Sequence, residues 1–419
     1  MSEVVNADPG LTPRQLIDRV AALRPLLREQ SQTSELRTRA TDEVFEACRE
    51  AGVFKLYVPR RYGGYGFDPV TYLKVCIELA RGDMSTGWGV ALAAAHALQI
   101  ASWWPHRAQE EIFAEGTADF RCPAVAAPVA RAERVDGGWS LTGKVGYASG
   151  VPFSTHYMGQ ALIVDDVGQT DGRMLLFVAS QEQFEWLEDW GRLMGLKGSG
   201  SNTISFDRGF VPAHWCIEDA LMVDFDVAPP TPGVALHGDP IYGGRAMALF
   251  TLTLAALAVG GAYRALDEYE MMLDSKISVM PPYVPRRHDL SFQQWFGKAI
   301  AQIGTAEAAV INAGDQHNEI CRRAAEQGIA PTYYDDWRLS AIGREAICQL
   351  WDVLQGEIFR TAGSSAAVDG TPIVRAFRDM AMLHSHRNMQ MREWGYGEIA
   401  REYLGLPRSG PGNVQGARK

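Results

Sequence analysis

The chain has 419 residues, with 47% hydrophobic, 21% charged and 10% aromatic residues, and 40 Lys and Arg against 50 Asp and Glu for a net charge of −10. Such a composition supports a sizeable core and excludes the collagen-like, disordered and disulfide-scaffold classes. The acidic balance argues against an extended phosphate-binding surface, so nucleic acid is not an expected partner.

The N-terminal stretch MSEVVNADPGLTPRQ has neither a basic n-region nor an apolar h-region, so no export signal is read there. From Leu11 to about Glu115 apolar residues recur at helical spacing, with Leu16, Val20, Leu23, Leu26 and Leu27 on one face. Thr12-Pro13-Arg14-Gln15 reads as an N-cap, a first-turn proline and a capping-box glutamine. Asp68-Pro69 marks another helix start after the turn Tyr62–Gly66.

From about Ala118 to Ile217 the period becomes two, with strands expected at 130–135, 139–147, 158–164, 174–179 and 203–206 and turns at Asp136-Gly137-Gly138 and Asp171-Gly172. From about Tyr242 to Leu404 long helical patterns return at 247–273, 292–325, 335–359 and 372–403, which read as an up-down four-helix bundle. The apolar run around 247–262 contains threonines and glycines and is shorter than the ~20 residues a bilayer requires, so no membrane is expected as a partner. Domains are expected at 1–117, 118–232 and 233–406, with a frayed tail at 407–419. The six cysteines, Cys48, Cys76, Cys122, Cys216, Cys321 and Cys348, form no C-x-x-C pair and read as reduced core thiols. A cytoplasmic protein is the expectation.

Several segments, in order over nearly the whole chain, resemble the acyl-CoA dehydrogenase superfamily. They are Pro59-Arg60-Arg61-Tyr62-Gly63-Gly64, Asp83-Met84-Ser85-Thr86-Gly87-Trp88, the strand Leu141–Gly150, Gly195-Leu196-Lys197-Gly198-Ser199-Gly200-Ser201 with Phe210-Val211-Pro212, and Arg378-Asp379. Val145 departs from the family strand, where a lysine is expected. The resemblance implies an α+β fold of the acyl-CoA dehydrogenase type: an N-terminal helical domain, a central antiparallel β domain and a C-terminal four-helix bundle.

A dehydrogenase of this superfamily needs a glutamate to take the α-proton of a thioester. Nine positions after the arginine of R-D stands Arg387, a permanent cation. The alternative location, on the first bundle helix, is also empty, because nothing between Asp239 and Asp267 is acidic. Cys122–Val129 replaces the C-x-T-E-P-x-x-G-S-D loop, and R-x-x-F-G is missing near Lys276–Pro282. What remains resembles the oxygenase components of two-component flavin-dependent monooxygenases, which hydroxylate phenols such as hydroxyphenylacetate and steroid-derived phenols, sulfoxidise thiophenes or N-oxygenate sugars.

The resemblance implies reduced FMN or FAD delivered by a separate NAD(P)H:flavin reductase, O2, a C4a-hydroperoxyflavin in a dry pocket, a small aromatic substrate and a homotetramer. Its rivals are an amine or sugar N-oxygenase, a dehydrogenase with a displaced base and a non-catalytic scaffold. Ser149 stands at the flavin-contacting strand position and resembles the F-x-S-G serine, with Tyr147 at the aromatic position; a serine ending a strand is the plainer reading. His386, eight residues after Arg378, resembles R-[DN]-x6-H and is the candidate for holding or deprotonating a phenol. His384 competes with it, since on one helix only one of the two faces the pocket, and the same geometry makes a His384-x-His386 metal pair improbable.

On the helical face of His386 fall Asp379, Met382, Met389 and Gln390, a candidate pocket wall. Met380, Met382, Met389 and Met391 suit an adaptable apolar pocket and bundle core equally. Gly363-Ser364-Ser365 and Gly198-Ser199-Gly200-Ser201 are candidate anchors for flavin phosphate and ring edge, and equally ordinary loops. Trp88 and Ser85 are candidates for the cavity lining, although a helix-borne tryptophan also suits a core.

Overall fold

The computed structural model describes residues 10–114 and 119–409. The first domain boundary expected, at 117, and residues 410–419 of the tail lie outside the described residues. Among the described residues seven α-helices come first: α1 Pro13–Ala21, α2 Arg24–Arg37, α3 Asp42–Ala51, α4 Pro69–Gly82, α5 Met84–Ala95, α6 Ala97–Trp103 and α7 His106–Ala114. The capping box at Thr12 and Gln15 forms, and the Asp68 carboxylate accepts from the backbone N–H groups of Val70 and Thr71 at the start of α4. Helix α5 is apolar on almost every side and is buried nearly throughout, as an all-round hydrophobic helix must be.

Seven strands follow among the described residues, β1 Ala124–Val135, β2 Gly138–Ala148, β3 His156–Val164, β4 Met174–Ser180, β5 Glu185–Trp186, β6 Asn202–Pro212 and β7 Cys216–Glu218, in one sheet of order β5-β6-β2-β1-β3-β4-β7. Asp136-Gly137 turns β1 into β2, pairing Arg134 with Trp139. The sheet departs from the all-antiparallel expectation at one seam, where β1 and β3 run parallel. After the β1–β2 hairpin the chain crosses to the far side of β1 through 149–155, and this second reversal returns it to the direction of β1. A period of two reports which face is buried, not strand direction.

The last part comprises α8 Pro232–His237, α9 Met247–Ser275, α10 Leu290–Gln327, α11 Tyr333–Val353, which runs through a π-helical stretch Leu354–Phe359 into α12 Arg360–Ala362, then α13 Pro372–His384, α14 Arg387–Gln390 and α15 Arg392–Tyr403. Helix α9 is longer than the apolar run read from sequence and is long and apolar enough to cross a bilayer, yet 89% of its most apolar window is buried against the rest of the fold, as in a core helix. The fourth bundle helix, expected unbroken over 372–403, breaks after His384. His386 adopts an extended backbone (φ −63°, ψ 148°) and caps α14, its Nδ1 accepting the N–H of Asn388. A side chain that bonds nearby backbone competes with helix continuation, and here it wins. At the end of the described chain, Ser409 bonds Glu398 and Arg408 pairs with Asp224 at 2.9 Å, so 407–409 pack back on the protein.

Candidate active site

Three distant segments meet where α5 crosses the end of β2 and the loop before β6. The indole Nε1–H of Trp88 on α5 donates to Ser149 Oγ at 3.0 Å. Ser149 Oγ lies 2.8 Å from Ser201 Oγ, which lies 2.6 Å from Ser199 Oγ. All four residues are buried. Gly198 N–H donates to Ser85 Oγ at 2.7 Å, tying the loop to the start of α5. The approach is as close as backbones allow: a Cβ on Gly89 would stand 2.4 Å from Ser199 O, and one on Gly150 2.4 Å from Gly89 O.

The helix break brings in the bundle. The ring of His386 meets that of Trp88 edge-on at 5.5 Å and 65°. Burial, with Arg387 adding to it, lowers the imidazole pKa to about 4, so the ring is neutral at physiological pH. His384 turns away and stacks on Trp351 at 5.4 Å. Met389 is buried and Met382 half-buried, whereas Gln390 is exposed and leaves the expected pocket wall. Face arithmetic along one helix fails across the break at Ser385. Met380 is core, and Asp379 faces the 195–201 loop, where its Oδ1 accepts the Leu196 N–H at 2.6 Å.

Asp379 and Asp83 are both buried, and desolvation together with the neighbouring Asp83 charge raises the Asp379 carboxyl to about 8. The folded state therefore keeps a proton that the unfolded chain releases from about pH 4 upward, and stability from this group falls as pH rises from about 4 to 8. Asp379→Asn should gain stability relative to the parent across that window and hold the gain above it. Denaturation midpoints of both proteins at pH 5 and pH 8 check this; an unchanged difference would overturn it.

Tyr147 has a left-handed backbone (φ 65°), is 62% exposed and sets its ring edge-on to Trp190 at 5.5 Å. Gly363-Ser364-Ser365 bonds elsewhere, at the end of the bundle: Lys276 Nζ donates to Ser365 Oγ at 2.6 Å and Arg286 Nη1 to Ala362 O at 3.0 Å. No hydrogen bond links this turn to the serine cluster among the described residues. Sequence reasoning missed the buried polar residues behind His386. Asn388 bonds Thr251 at 3.0 Å, and its backbone and side-chain oxygens both accept from Arg344 Nε at 3.1 Å. It also missed His96, buried at the end of α5, with Nδ1 2.7 Å from Cys122 O and its ring beside Phe250. These partners lie 26 to 154 residues apart, and no local spacing announces them.

The donor set suits a flavin. N5 of the isoalloxazine is an N–H when reduced and a bare acceptor when oxidised, and a hydroxyl, which can donate or accept, can serve either state. Ser149 is such a group: Ser199 Oγ donates to Leu196 O at 2.7 Å, so the hydroxyl protons run from Ser149 to Ser201 to Ser199 and leave Ser149 Oγ able to accept from the N5–H of a reduced flavin.

Comparison with known proteins identifies the family. The description "Acyl-CoA dehydrogenase, N-terminal domain" matches residues 18–116, and "Acyl-CoA dehydrogenase, C-terminal domain" matches residues 252–391. The chain is 30% identical to the flavin-dependent monooxygenase oxygenase subunit HsaA of Mycobacterium tuberculosis, over 85% of this chain and 87% of the relative. It is also 30% identical to the oxygenase component of FADH(2)-dependent resorcinol hydroxylase from a Rhizobium species, over 61% of each. The crystal structure of 3-HSA hydroxylase from Rhodococcus sp. RHA1 superposes with a TM-score of 0.82 at 25% identity, covering 94% of this chain and 97% of that one. With no carboxylate between Asp239 and Asp267 or at position 387, the chain belongs to the flavin-dependent monooxygenases of the acyl-CoA dehydrogenase fold.

Proposed function

We propose that this protein is the oxygenase component of a two-component system that hydroxylates a small, phenol-like aromatic, receiving reduced FMN or FAD from a separate NAD(P)H:flavin reductase. The observation that carries the reading is the buried Trp88–Ser149–Ser201 relay beside a neutral His386. Bound reduced flavin supplies the two electrons with which dioxygen is split, one oxygen atom going to the substrate and the other to water.

The chain's own residues hold and shield that chemistry. Ser149 bonds the flavin ring nitrogen, with Trp88 and Ser201 orienting its hydroxyl, and Tyr147 offers an aromatic face. Met389 and Met382 make an adaptable apolar wall that keeps water out, and His386 hydrogen-bonds the substrate oxygen. Lys276 and Arg286 beside Gly363-Ser364-Ser365 offer the cations and hydroxyls a flavin phosphate needs. Exposed apolar residues on the connection between α9 and α10, Val279, Met280 and Tyr283 among them, support a homotetramer that covers them. Dependence on a nicotinamide-linked reductase fits a cytoplasmic enzyme with all six cysteines free.

The test is a stopped-flow experiment. Protein mixed anaerobically with chemically reduced FMN or FAD is mixed again with oxygenated buffer. Oxidised-flavin absorbance should appear after a lag, at a rate at least about tenfold below that of free flavin, because a dry site slows unproductive decay. Oxidation at the free rate with both flavins would overturn the reading.

A further inference from the structure

Asn388 stands at the centre of a buried polar network that the proposed chemistry does not yet use. Its backbone N–H can only donate, and it donates to His386 Nδ1 at 3.1 Å. That occupies the Nδ1 lone pair, so the single proton of the neutral ring sits on Nε2. No hydrogen bond to Nε2 is found among the described residues, and the ring stands beside Trp88, the partner of Ser149.

Asn388 is in turn clamped from both sides. Arg344 Nε donates to its carbonyl and to Oδ1, both at 3.1 Å, and its Nδ2 meets Thr251 Oγ1 at 3.0 Å. Arg344 is fully buried, and both of its terminal nitrogens lack a hydrogen-bond partner. Its guanidinium lies over Trp337 at 5.0 Å, and Gly395 makes room for it, since a Cβ there would stand 3.2 Å from Nη1. A cation buried in this way is a poor device for stability, because an apolar side chain of similar volume would avoid the desolvation cost. What Arg344 does provide is a rigid double grip on Asn388.

We propose that Arg344 and Asn388 are positioning residues that clamp the break between α13 and α14 and hold His386 as an imidazole protonated at Nε2, a hydrogen-bond donor to the substrate's phenolic oxygen and not the base that removes its proton. Acting as a base at Nε2 would require the proton to move to Nδ1, where it would face the Asn388 N–H. The inference rests on the monooxygenase reading and assigns the direction of the hydrogen bond within it.

The test is a double-mutant cycle on the full chain, supplied with reduced flavin and oxygen and with resorcinol as the probe phenol, read as product formed per flavin oxidised. His386→Ala and Arg344→Met should each lower that ratio about tenfold, the worth of one hydrogen bond, with flavin affinity unchanged. The double variant should be no worse than His386→Ala alone, because Arg344 acts through His386; multiplied losses would overturn the clamp. His386→Gln, whose amide N–H falls near Nε2, should retain most of the product, whereas a base would be lost equally with Gln and Ala.

Thr251→Val loosens the same grip without touching the buried charge and replaces Arg344→Met if that variant does not fold. Long-range 1H–15N spectra of protein labelled at its nine histidines, with His386 assigned by its loss in His386→Gln, test the tautomer without any turnover. An unprotonated Nδ1 is expected. An unprotonated Nε2 would sink the inference, while wild-type oxidation of flavin at the free rate would sink the monooxygenase reading and leave these spectra to judge the clamp.

Discussion

Ser149→Ala should lower product per flavin oxidised by about 100-fold, the usual effect of deleting one preorganised hydrogen-bonding group at a reacting centre. Oxygen should still be consumed, with hydrogen peroxide released in place of product. The substitution takes the partner from the Trp88 indole N–H, and a buried donor left unpaired costs about 1–3 kcal/mol, so a modest loss of thermal stability should accompany the uncoupling. Ser201 keeps its bond to Ser199, which confines the damage to the flavin side of the relay. Ser149→Thr returns a hydroxyl to the same position and should recover coupling. Simultaneous assays of product and peroxide check this, and an unchanged ratio in Ser149→Ala would remove Ser149 from the site.

The second large effect is structural. Gly150 has φ +84°, and its N–H donates to the carbonyls of Ser199 and Gly200 at 3.0 and 3.2 Å. An alanine there meets two penalties, left-handed strain and a Cβ 2.4 Å from the backbone oxygen of Gly89. Gly137, in the β1–β2 turn, shares the positive φ (+76°) but has nothing within 4 Å of an added Cβ. Gly137→Ala should therefore cost about 1 kcal/mol, the strain alone. Gly150→Ala should cost about 3 kcal/mol or more, because helix α5 and the turn at Ser149-Gly150 must part to admit the methyl group. Denaturation midpoints of the two variants compare the penalties directly. Gly150→Ala should also weaken binding of reduced flavin, since the parting moves Trp88 away from Ser149; equal costs at the two glycines would show that the close approach is not rigid.

Much of the fold was legible because its signals are local. Thr12 and Gln15 cap α1, Asp68 caps α4, Asp136-Gly137 turns a hairpin, and the change of period from helical to two and back marks the layers. Each depends on residues within a few positions of one another. The parallel seam between β1 and β3 was not legible, because alternation is blind to strand direction. The break in the last bundle helix escaped for a related reason. The stretch from Pro372 to Tyr403 has helical periodicity on both sides of Ser385, and only the capping bond between His386 and Asn388 shows that the two phases are not continuous.

The site divides along the same line. Motif order by itself determined the family, the missing carboxylate base and the candidacy of Ser149, Trp88 and His386, because those depend on which residue types stand at which positions. Only the tertiary structure decided that Trp88, Ser149, Ser201 and Ser199 form one relay, that His386 and not His384 stands beside it, and that Gln390 leaves it. It alone joined Arg344 and Thr251 to Asn388, residues 44 and 137 positions away. The physical reason is that hydrogen bonds and ring contacts act over a few ångströms, and residues far apart along the chain come within that reach only after α5, β2, α9, α11 and the break before α14 have packed.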